Sequence, residues 1–524
     1  MKRIILLAWL FAATAALQGG ILPGIEAVQV TFDTVAGKAE QRARKPFHSP
    51  KADLPEFLRN LTYDSYREIE FRHDRALWAD GKSPFRVEFF HPGYLYQEPV
   101  HCNEFTLTHA QPIRFVQDFF DYRQLQMPQK IPADTGYAGF RLLHPLNSTN
   151  KWDELGAFIG ASYFRLLGAG QTYGASARGL ALDCGGNDRP EEFPVWTDWW
   201  LGKPQPNDKV LLLYAIMDSV SCTGAYSFII RPGSPTNQTT VVKIEAVLYF
   251  REPDLVHAVD AQRKPLATIG LAPLTSMFWF GENSERKFDD YRPEVHDSDG
   301  LLMHMEGAQI LWRPLDNGPV MRHQKFAAKH IGGFGLLQRD REFSSYQDMF
   351  NPYQSVPSVW VEPEGTNFDD GEIHLVELTT HYEGLDNIVA FWNPASKPRP
   401  MQPYRFGYNL YWTRETDMSL STNKVISTRV GVDPRNANQR QFVIDFDIPS
   451  LASEADPPKA DASCSENGVL ADTQLFWNRA SKTWRVILQM EPKAGNKDPV
   501  DLRCTLKKGN DAISETWTYL WSPP

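Results

Sequence analysis

VKIEAV, residues 242–247, alternates apolar and polar side chains with the period of two that is typical of a half-buried β-strand. FRVEF at 85–89 and FVIDF at 442–446 repeat the pattern. Helical periodicity is scarce, and its clearest candidates are short stretches at 53–61 and 152–155. The 38 prolines and 35 glycines divide the chain into brief segments, as turns between strands require. The sequence therefore predicts an all-β protein.

A proline-rich segment predicts the division into domains. Residues 393–403 read NPASKPRPMQP and contain four prolines, which cannot join a central strand and stiffen a linker. We expect one large β-sandwich over 28–393, a linker over 394–403 and a smaller immunoglobulin-like β-sandwich over 404–524. A hairpin with arms at 474–477 and 483–490 belongs to the second unit.

The N-terminus predicts export. Lys2 and Arg3 precede an uncharged run over 4–25, and small-residue cleavage sites follow. These features predict a secretory signal peptide over 1–27. A membrane anchor is the alternative, but Gly19, Gly20 and Pro23 interrupt the run. The mature chain is therefore predicted not to span a membrane.

Composition narrows the class of partner. The net charge is −10, with no tract of lysine or arginine, so the chain lacks the concentrated basic surface that nucleic acid binding requires. Fifteen tryptophans provide flat faces on which sugar rings can stack, although core packing explains most single tryptophans.

Five cysteines enter an oxidising compartment if the chain is exported. Cys464 with Cys504, and Cys184 with Cys222, are candidate disulfides, which would leave Cys102 as a small buried residue. The spacing of the cysteines shows no CxxC pair, and the chain contains no HExxH motif. We predict neither a zinc site nor a cofactor.

Two polar segments beside aromatic strands carry the candidate chemistry. APLTSMFWFGENSERKFDDYRPEVHDSDG spans 272–300, and LVELTTHYEGLDNIVAFW spans 375–392. Carboxylates in such loops can divide acid and base roles in the cleavage of a glycosidic bond. The plainer interpretation of Asp386, in its DN dipeptide, is a turn residue that bonds its own backbone.

The DSDG segment also has a metal-binding interpretation. Asp297, Asp299 and Glu306 follow the spacing of the end of an EF-hand loop. The match is incomplete because Val295 occupies the first ligand position, so no metal site is predicted. Taken alone, His296 is interpreted as a structural histidine, since no serine or cysteine nucleophile motif accompanies it.

Six motifs together resemble a known family. They are RVEFFHPGYLYQEPV (86–100), GASYFRLLGAGQTYGASARGLALD (160–183), APLTSMFWFG (272–281), DYRPEVHDSDG (290–300), GFGLLQRDREFSSYQD (333–348) and LDNIVAFW (385–392). The chain is similar to the bacterial periplasmic glucan biosynthesis proteins G and D. The resemblance implies a galactose-mutarotase-like β-sandwich followed by an immunoglobulin-like domain. It also implies a periplasmic protein that acts in the biosynthesis of osmoregulated β-1,2-glucans.

The resemblance also implies the site. Matched by motif, Asp386 is the general acid of an inverting β-1,2-glucanase or transglycosylase, and Asp297 is the base, which reaches water through a substrate hydroxyl. The predicted substrate-binding residues are Tyr173, Arg178, Trp279, His296, Asp299, Tyr346, Asp348 and Trp360. The predicted partners are the glucan and the inner-membrane glucosyltransferase. The alternative is a non-catalytic glucan-binding or scaffold protein that receives polymer from that enzyme.

Overall fold

The computed structural model describes residues 29–523, apart from 187–188, 286–287, 366, 415–417, 452–453 and 496. The predicted signal peptide therefore lies outside the described residues. Within them, residues in strands far outnumber residues in helices, which confirms the all-β prediction. None of the helices in the described part of the chain has the length and apolarity needed to cross a membrane.

The strands follow in chain order. The first sixteen are β1 (Glu70–Phe71), β2 (Arg86–Phe90), β3 (His101–Phe105), β4 (Ala110–Ile113), β5 (Phe120–Asp121), β6 (Gly139–His144), β7 (Asp153–Ile159), β8 (Tyr163–Leu166), β9 (Ser176–Arg178), β10 (Ala181–Leu182), β11 (Val195–Gly202), β12 (Leu211–Asp218), β13 (Cys222–Arg231), β14 (Thr240–Phe250), β15 (Ile269–Ser276) and β16 (Phe278–Phe280). The others are β17 (Val295–His296), β18 (Gly300–Met305), β19 (Ile310–Pro314), β20 (Arg322–Leu337), β21 (Ser358–Glu364), β22 (Asp369–Glu377), β23 (Ile388–Pro394), β24 (Tyr404–Thr413), β25 (Lys424–Asp433), β26 (Asn436–Asp447), β27 (Lys459–Cys464), β28 (Gly468–Asn478), β29 (Thr483–Pro492), β30 (Val500–Lys508), β31 (Asp511–Ala512) and β32 (Thr516–Trp521).

The three stretches with a period of two fall in β2, β14 and β26, as predicted. The predicted hairpin is also confirmed, because β28 pairs with β29. The helical interpretation of 152–155 was wrong, since Asp153 begins β7. Cross-strand packing decides such a short segment, because its local pattern does not distinguish helix from strand.

Helices are few and mostly short. They are α1 (Phe32–Ala43), α2 (Glu56–Arg59), α3 (Tyr63–Tyr66), α4 (Pro253–His257) and α5 (Phe343–Tyr346), with 3₁₀ turns at Pro50–Asp53, His73–Arg75, Gln117–Phe119, Glu306–Ala308, Tyr353–Ser355 and Pro449–Leu451. The sequence analysis missed α1. Thr31 and Thr34 form a capping box at its N-terminus. Its buried face consists of small side chains, namely Val35, Ala36, Ala39 and Ala43.

Two sheets form the large sandwich. In the first, the pairing order is β4, β3, β11, β12, β13, β14, β24, β21 and β20. In the second, the order is β2, β6, β7, β8, β9, β15, β23, β22 and β20. The 16-residue strand β20 belongs to both sheets. Aromatic side chains from the two sheets meet between them, as Phe158 and Phe228 do at 5.7 Å between ring centroids, and they form the main core.

The C-terminal strands continue the first sheet. Beyond β20 it runs through β18 and β19, and β19 pairs in parallel with β32, followed by β30 and β27. A separate sheet of β25, β26, β29 and β28 packs against this extension. The predicted start of the second unit at residue 404 differs from the structure. Residues 404–413 form β24, which pairs with β14 and β21 of the large sandwich, because Phe406 and Tyr408 are buried in its core.

All five cysteines lie within the described residues, and all are free. The candidate disulfides were therefore wrong. In the register of β27 and β30, Cys464 lies opposite Leu502, while Cys504 lies opposite Ala462. Cys184 and Cys222 pack in different apolar clusters.

Candidate active site

The two predicted catalytic aspartates lie at the same end of β15. The last residue of that strand, Ser276, pairs with Ile388 of β23, two residues after Asp386. The backbone N–H of Asp297 donates to the carbonyl of Met277, the residue that follows β15, at 2.9 Å. Two loops that are 89 positions apart in sequence are therefore held against one strand end, and the charge of Asp386 acts on Asp297.

Asn387 holds these loops together. Its side-chain amide accepts from the N–H of Phe278 at 2.8 Å and donates to the carbonyls of Phe278 and Leu378 at 3.0 and 2.9 Å. Asn387 is completely buried. In the DN dipeptide, the asparagine therefore makes the structural bonds, while Asp386 beside it is exposed.

A cavity of about 330 Å³ opens beside Asp297. Its other lining residues are Thr172, Tyr173, Met277, Phe350, Asn351, Pro352, Tyr353, Val356 and Glu383. These come from the glycine-rich segment, the end of β15 and the loops before β21 and β23. The concave shape and the mixture of aromatic and carboxylate groups suit a carbohydrate.

Loss of water to the surrounding protein is the main cause of the raised pKa values of the two aspartates. It raises the pKa of Asp297, to about 7, and the negative charge of Asp386 adds to the increase, while His296 and Arg165 oppose it. Surrounding protein also raises the pKa of Asp386, although Arg165 and Arg178 offset this effect. The negative charge of Asp386 thus helps Asp297 to keep its proton to a higher pH than an ordinary aspartic acid does.

Arg165 is a site residue that the sequence analysis did not single out. It is exposed on β8, between the buried Phe164 and Leu166, and its guanidinium lies 4.0 Å from the ring centroid of Tyr173. Its charge acts on both aspartates. The period of two in YFRL indicates that it faces away from the core, and this signal could have identified it.

A second missed group surrounds Glu383. Its carboxylate accepts from Arg292 at 2.6 Å and from the hydroxyl of Tyr353 at 3.0 Å. Arg292 also donates to Asp348 at 2.9 Å. Because Glu383 and Tyr353 both line the cavity, this network shapes part of the cleft. No local sequence pattern joins residues so far apart in the chain.

Among the predicted substrate-binding residues, Tyr173 lines this cavity, whereas Trp279 lines a different one beside the C-terminal strands. Tyr173 lines the cavity and donates its hydroxyl to Glu154. Arg178 is buried, donates to Glu191 at 2.7 Å and acts electrostatically on Asp386. Trp279 is half-buried, with the guanidinium of Arg292 5.8 Å from its ring centroid. Asp348 accepts from the backbone of Phe350 and Asn351, so it shapes a loop of the cleft.

Three of the others are among the most buried side chains of the site. His296, Tyr346 and Trp360 are 1%, 0% and 2% exposed. Trp360 belongs to the apolar cluster shared with the C-terminal strands. The fourth, Asp299, faces His296, with 3.6 Å between its oxygen and the histidine Nε2. Its carboxylate also accepts from the N–H of Asp340 at 3.1 Å.

Two comparisons with known proteins agree with each other. The family model described as "Periplasmic glucan biosynthesis protein, MdoG" matches residues 30–521. A protein of Ralstonia nicotianae named "Glucans biosynthesis protein G" is 41% identical over 504 residues, which cover 94% of this chain and 96% of that protein. The family model spans every segment that lines the cleft.

Proposed function

We propose a catalytic role for this chain, which belongs to the MdoG family of periplasmic glucan biosynthesis proteins and therefore takes part in glucan biosynthesis. The chain is exported by its signal peptide to the periplasm. There it acts on the β-1,2-glucan backbone as an inverting glucanase or transglycosylase, with Asp386 as the general acid and Asp297 as the base.

The main support is that the segments of both aspartates are held at one strand end and that Asp297 lines an open cavity there. An inverting enzyme needs one protonated and one ionised carboxyl group on opposite sides of the scissile bond. In the free protein the negative charge of Asp386 favours the protonated form of Asp297, so the proposed roles require the proton to lie on Asp386 once glucan is bound. Glucan that covers the exposed Asp386 would remove water from it and favour its neutral form.

The reaction then follows from these two states. The Asp386 carboxyl gives its proton to the glycosidic oxygen as the bond from that oxygen to the anomeric carbon breaks. The oxygen of a water molecule bonds to the anomeric carbon from the opposite face, which inverts the configuration. The proton released from water passes through a substrate hydroxyl to the Asp297 carboxylate. In transglycosylation, a sugar hydroxyl takes the place of water.

The second candidate function is a glucan-binding scaffold that works with the inner-membrane glucosyltransferase. It keeps the same cleft but requires no proton transfer. The crowded polar lining around Glu383 and Tyr353 is compatible with binding alone. Turnover and its dependence on Asp386 therefore distinguish the two functions.

The decisive experiment incubates the mature protein with linear β-1,2-glucan and follows products by mass spectrometry, with NMR to identify the first anomer formed. Asp386→Asn is the test variant. Asp134→Asn is the matched control, because Asp134 is an exposed aspartate in the loop before β6, outside the segments that carry Asp297 and Asp386. Binding of the same glucan is measured by calorimetry for all three proteins.

Shortened or cyclised glucans made by the wild type and by Asp134→Asn, but not by Asp386→Asn, would support the enzyme. Unchanged polymer that still binds to all three proteins would contradict it and favour the scaffold. Equal turnover by Asp386→Asn would show that another group is the acid.

A further inference from the structure

A second cavity lies where the large sandwich contacts the C-terminal strands, and its volume is about 270 Å³. Trp279, Phe288 and Asn317 line it from the large sandwich, while Arg440 and Trp521 line it from β26 and β32. We call this space the junction cavity. The described residues that line it include none of those that line the cleft, so the two spaces are distinct.

The lining of the junction cavity combines flat aromatic side chains with planar polar ones. Trp279, Phe288 and Trp521 are half-buried, so each ring keeps some open surface. The guanidinium of Arg440 lies 5.6 Å from the ring centroid of Trp521, and the Asn317 amide lines the same space. A sugar ring offers apolar C–H faces that pack on aromatic rings, and hydroxyl groups that amide and guanidinium groups can bond. The mixture therefore suits a carbohydrate.

Two buried N–H groups at this cavity have no acceptor among the residues that the structure describes. They are the Nε1 of Trp279 and the Nε of Arg322, and both side chains line the cavity. Arg322 is only 8% exposed, and its Nη1 pairs with Asp316 at 2.6 Å, which leaves the Nε donor unpaired. Because a buried donor without an acceptor is destabilising, these groups favour a ligand that supplies oxygen acceptors, as sugar hydroxyls do.

A continuous chain of contacts joins the junction cavity to the cleft. The guanidinium of Arg292 lies 5.8 Å from the ring centroid of Trp279 and donates to Glu383 at 2.6 Å, and Glu383 lines the cleft. The Asn317 amide donates to the carbonyls of Trp279 and Thr380 at 2.9 and 2.8 Å. Thr380 and Glu383 belong to one loop between β22 and β23. The wall of one cavity is therefore fixed to the wall of the other.

A polysaccharide is larger than the cleft. The cleft volume of about 330 Å³ is at the lower end of the volumes that hold one drug-sized ligand, so most of a glucan chain extends beyond it. Exposed residues, namely Glu285, Pro319 and Val432, form part of the lining of the junction cavity. This cavity is therefore open to a polymer from the solvent side.

We propose that the junction cavity is a second glucan-binding site, which holds a part of the polymer outside the catalytic cleft. The inference rests on the proposed function for the identity of the sugar, but not for its cleavage. Arg440 and Trp521 give the C-terminal strands a role in it. Two sites on one protein increase the affinity for a long glucan more than for a short one, because the second contact becomes intramolecular.

The test measures the binding of a long and a short linear β-1,2-glucan by calorimetry. The mature full-length chain carries Asp386→Asn throughout, so that the polymer stays intact. Trp521→Ala and Arg440→Gln are the test variants. Trp477→Ala is the matched control, because Trp477 is also a half-buried tryptophan of the C-terminal strands but packs against Trp484, with 5.3 Å between ring centroids. Melting temperatures verify that each variant is folded, and crystals soaked in the short glucan locate bound sugar.

We expect Trp521→Ala to weaken binding of the long glucan by about 2–13-fold, which corresponds to the loss of one aromatic contact. Arg440→Gln should act in the same direction, the short glucan should be affected less, and Trp477→Ala should bind normally. Sugar density should occupy the junction cavity as well as the cleft.

Unchanged affinity for the long glucan in both test variants would overturn the inference, as would an equal loss in Trp477→Ala or sugar density confined to the cleft. Absence of all glucan binding would overturn it together with the proposed function. Weakened binding by the test variants of a protein that never cleaves glucan would uphold the second site and refute only the catalytic proposal.

Discussion

The cleft and a buried acid cluster, formed by Glu294, His296, Asp299 and Asp340, share residues of one short segment. In EVHDSD, 294–299, Glu294, His296 and Asp299 belong to the cluster, whereas Asp297 lines the cleft. The same residue type thus occupies two environments two positions apart. Burial raises the pKa of Asp297 to about 7 and that of Asp340 in the cluster to about 9. The residue type does not reveal its role, since access to solvent and the neighbouring charges decide it.

A matched pair of substitutions, with the largest expected effect, tests whether the two environments have different roles. Asp297→Asn should lower glucan turnover by about 10²–10⁴-fold, because it removes the proposed base. Asp299→Asn should reduce turnover much less but lower the melting temperature, because its carboxylate accepts backbone N–H groups. Glucan product analysis and calorimetry on both variants test this. Equal losses of turnover without a change in melting temperature would contradict the separation of the two environments.

Substitution of Trp360 tests whether this buried residue, predicted as a substrate contact, stabilises the core instead. Trp360→Ala should lower the free energy of unfolding by about 3–5 kcal/mol, because it leaves a large cavity in packed surroundings. Urea denaturation measures this loss, and glucan binding is compared where the variant is still folded. A stable Trp360→Ala protein with lost glucan affinity would restore its predicted role as a substrate contact.

Glu377 is a third kind of carboxylate, buried but facing an arginine. Burial raises its pKa to about 7, while the charge of Arg322 opposes the increase. The folded state thus holds the proton more tightly than the unfolded state. The stabilisation is complete below the ordinary pKa of glutamic acid and is lost as pH rises through about 7.

Glu377→Gln removes this dependence. Between pH 5 and pH 8, the free energy of unfolding of the wild type should therefore fall by roughly 2–3 kcal/mol more than that of the variant. Urea denaturation of both proteins at the two pH values measures this difference. A parallel change in both would show that Glu377 does not titrate in this range.

Substitution of Phe350, with the smallest expected effect, tests whether this side chain contacts glucan in the cleft. Its side chain is 90% exposed and lines the cavity. Phe350→Ala should weaken glucan binding by about 0.5–1.5 kcal/mol through loss of stacking, with little change in melting temperature. Met349→Ala is the control, because Met349 is 80% exposed but does not line the cavity. Equal effects of both substitutions on calorimetric affinity would argue against a specific contact.

Local patterns were reliable where one short segment carried the whole signal. The period of two identified β2, β14 and β26, and YFRL could have identified Arg165. Patterns failed where distant residues decided the outcome. The four prolines at 394–403 indicated a linker, but β24 after them pairs with β14 and β21. The incomplete EF-hand spacing pointed to Glu306, which lies in an exposed turn. Instead, Asp340, which follows the end of β20, lies beside Glu294, His296 and Asp299.

By itself, the sequence determined the all-β class and, through its motifs, the family and the candidate aspartates. Strand periodicity and motifs are local properties, so they can be recognised before folding is considered. Only the tertiary structure decided that Asp297 and Asp386 meet at the end of β15, and that His296 and Trp360 are buried. It also decided that Glu294, His296, Asp299 and Asp340 converge. Proximity, burial and charge depend on contacts between distant segments, and no single segment specifies them.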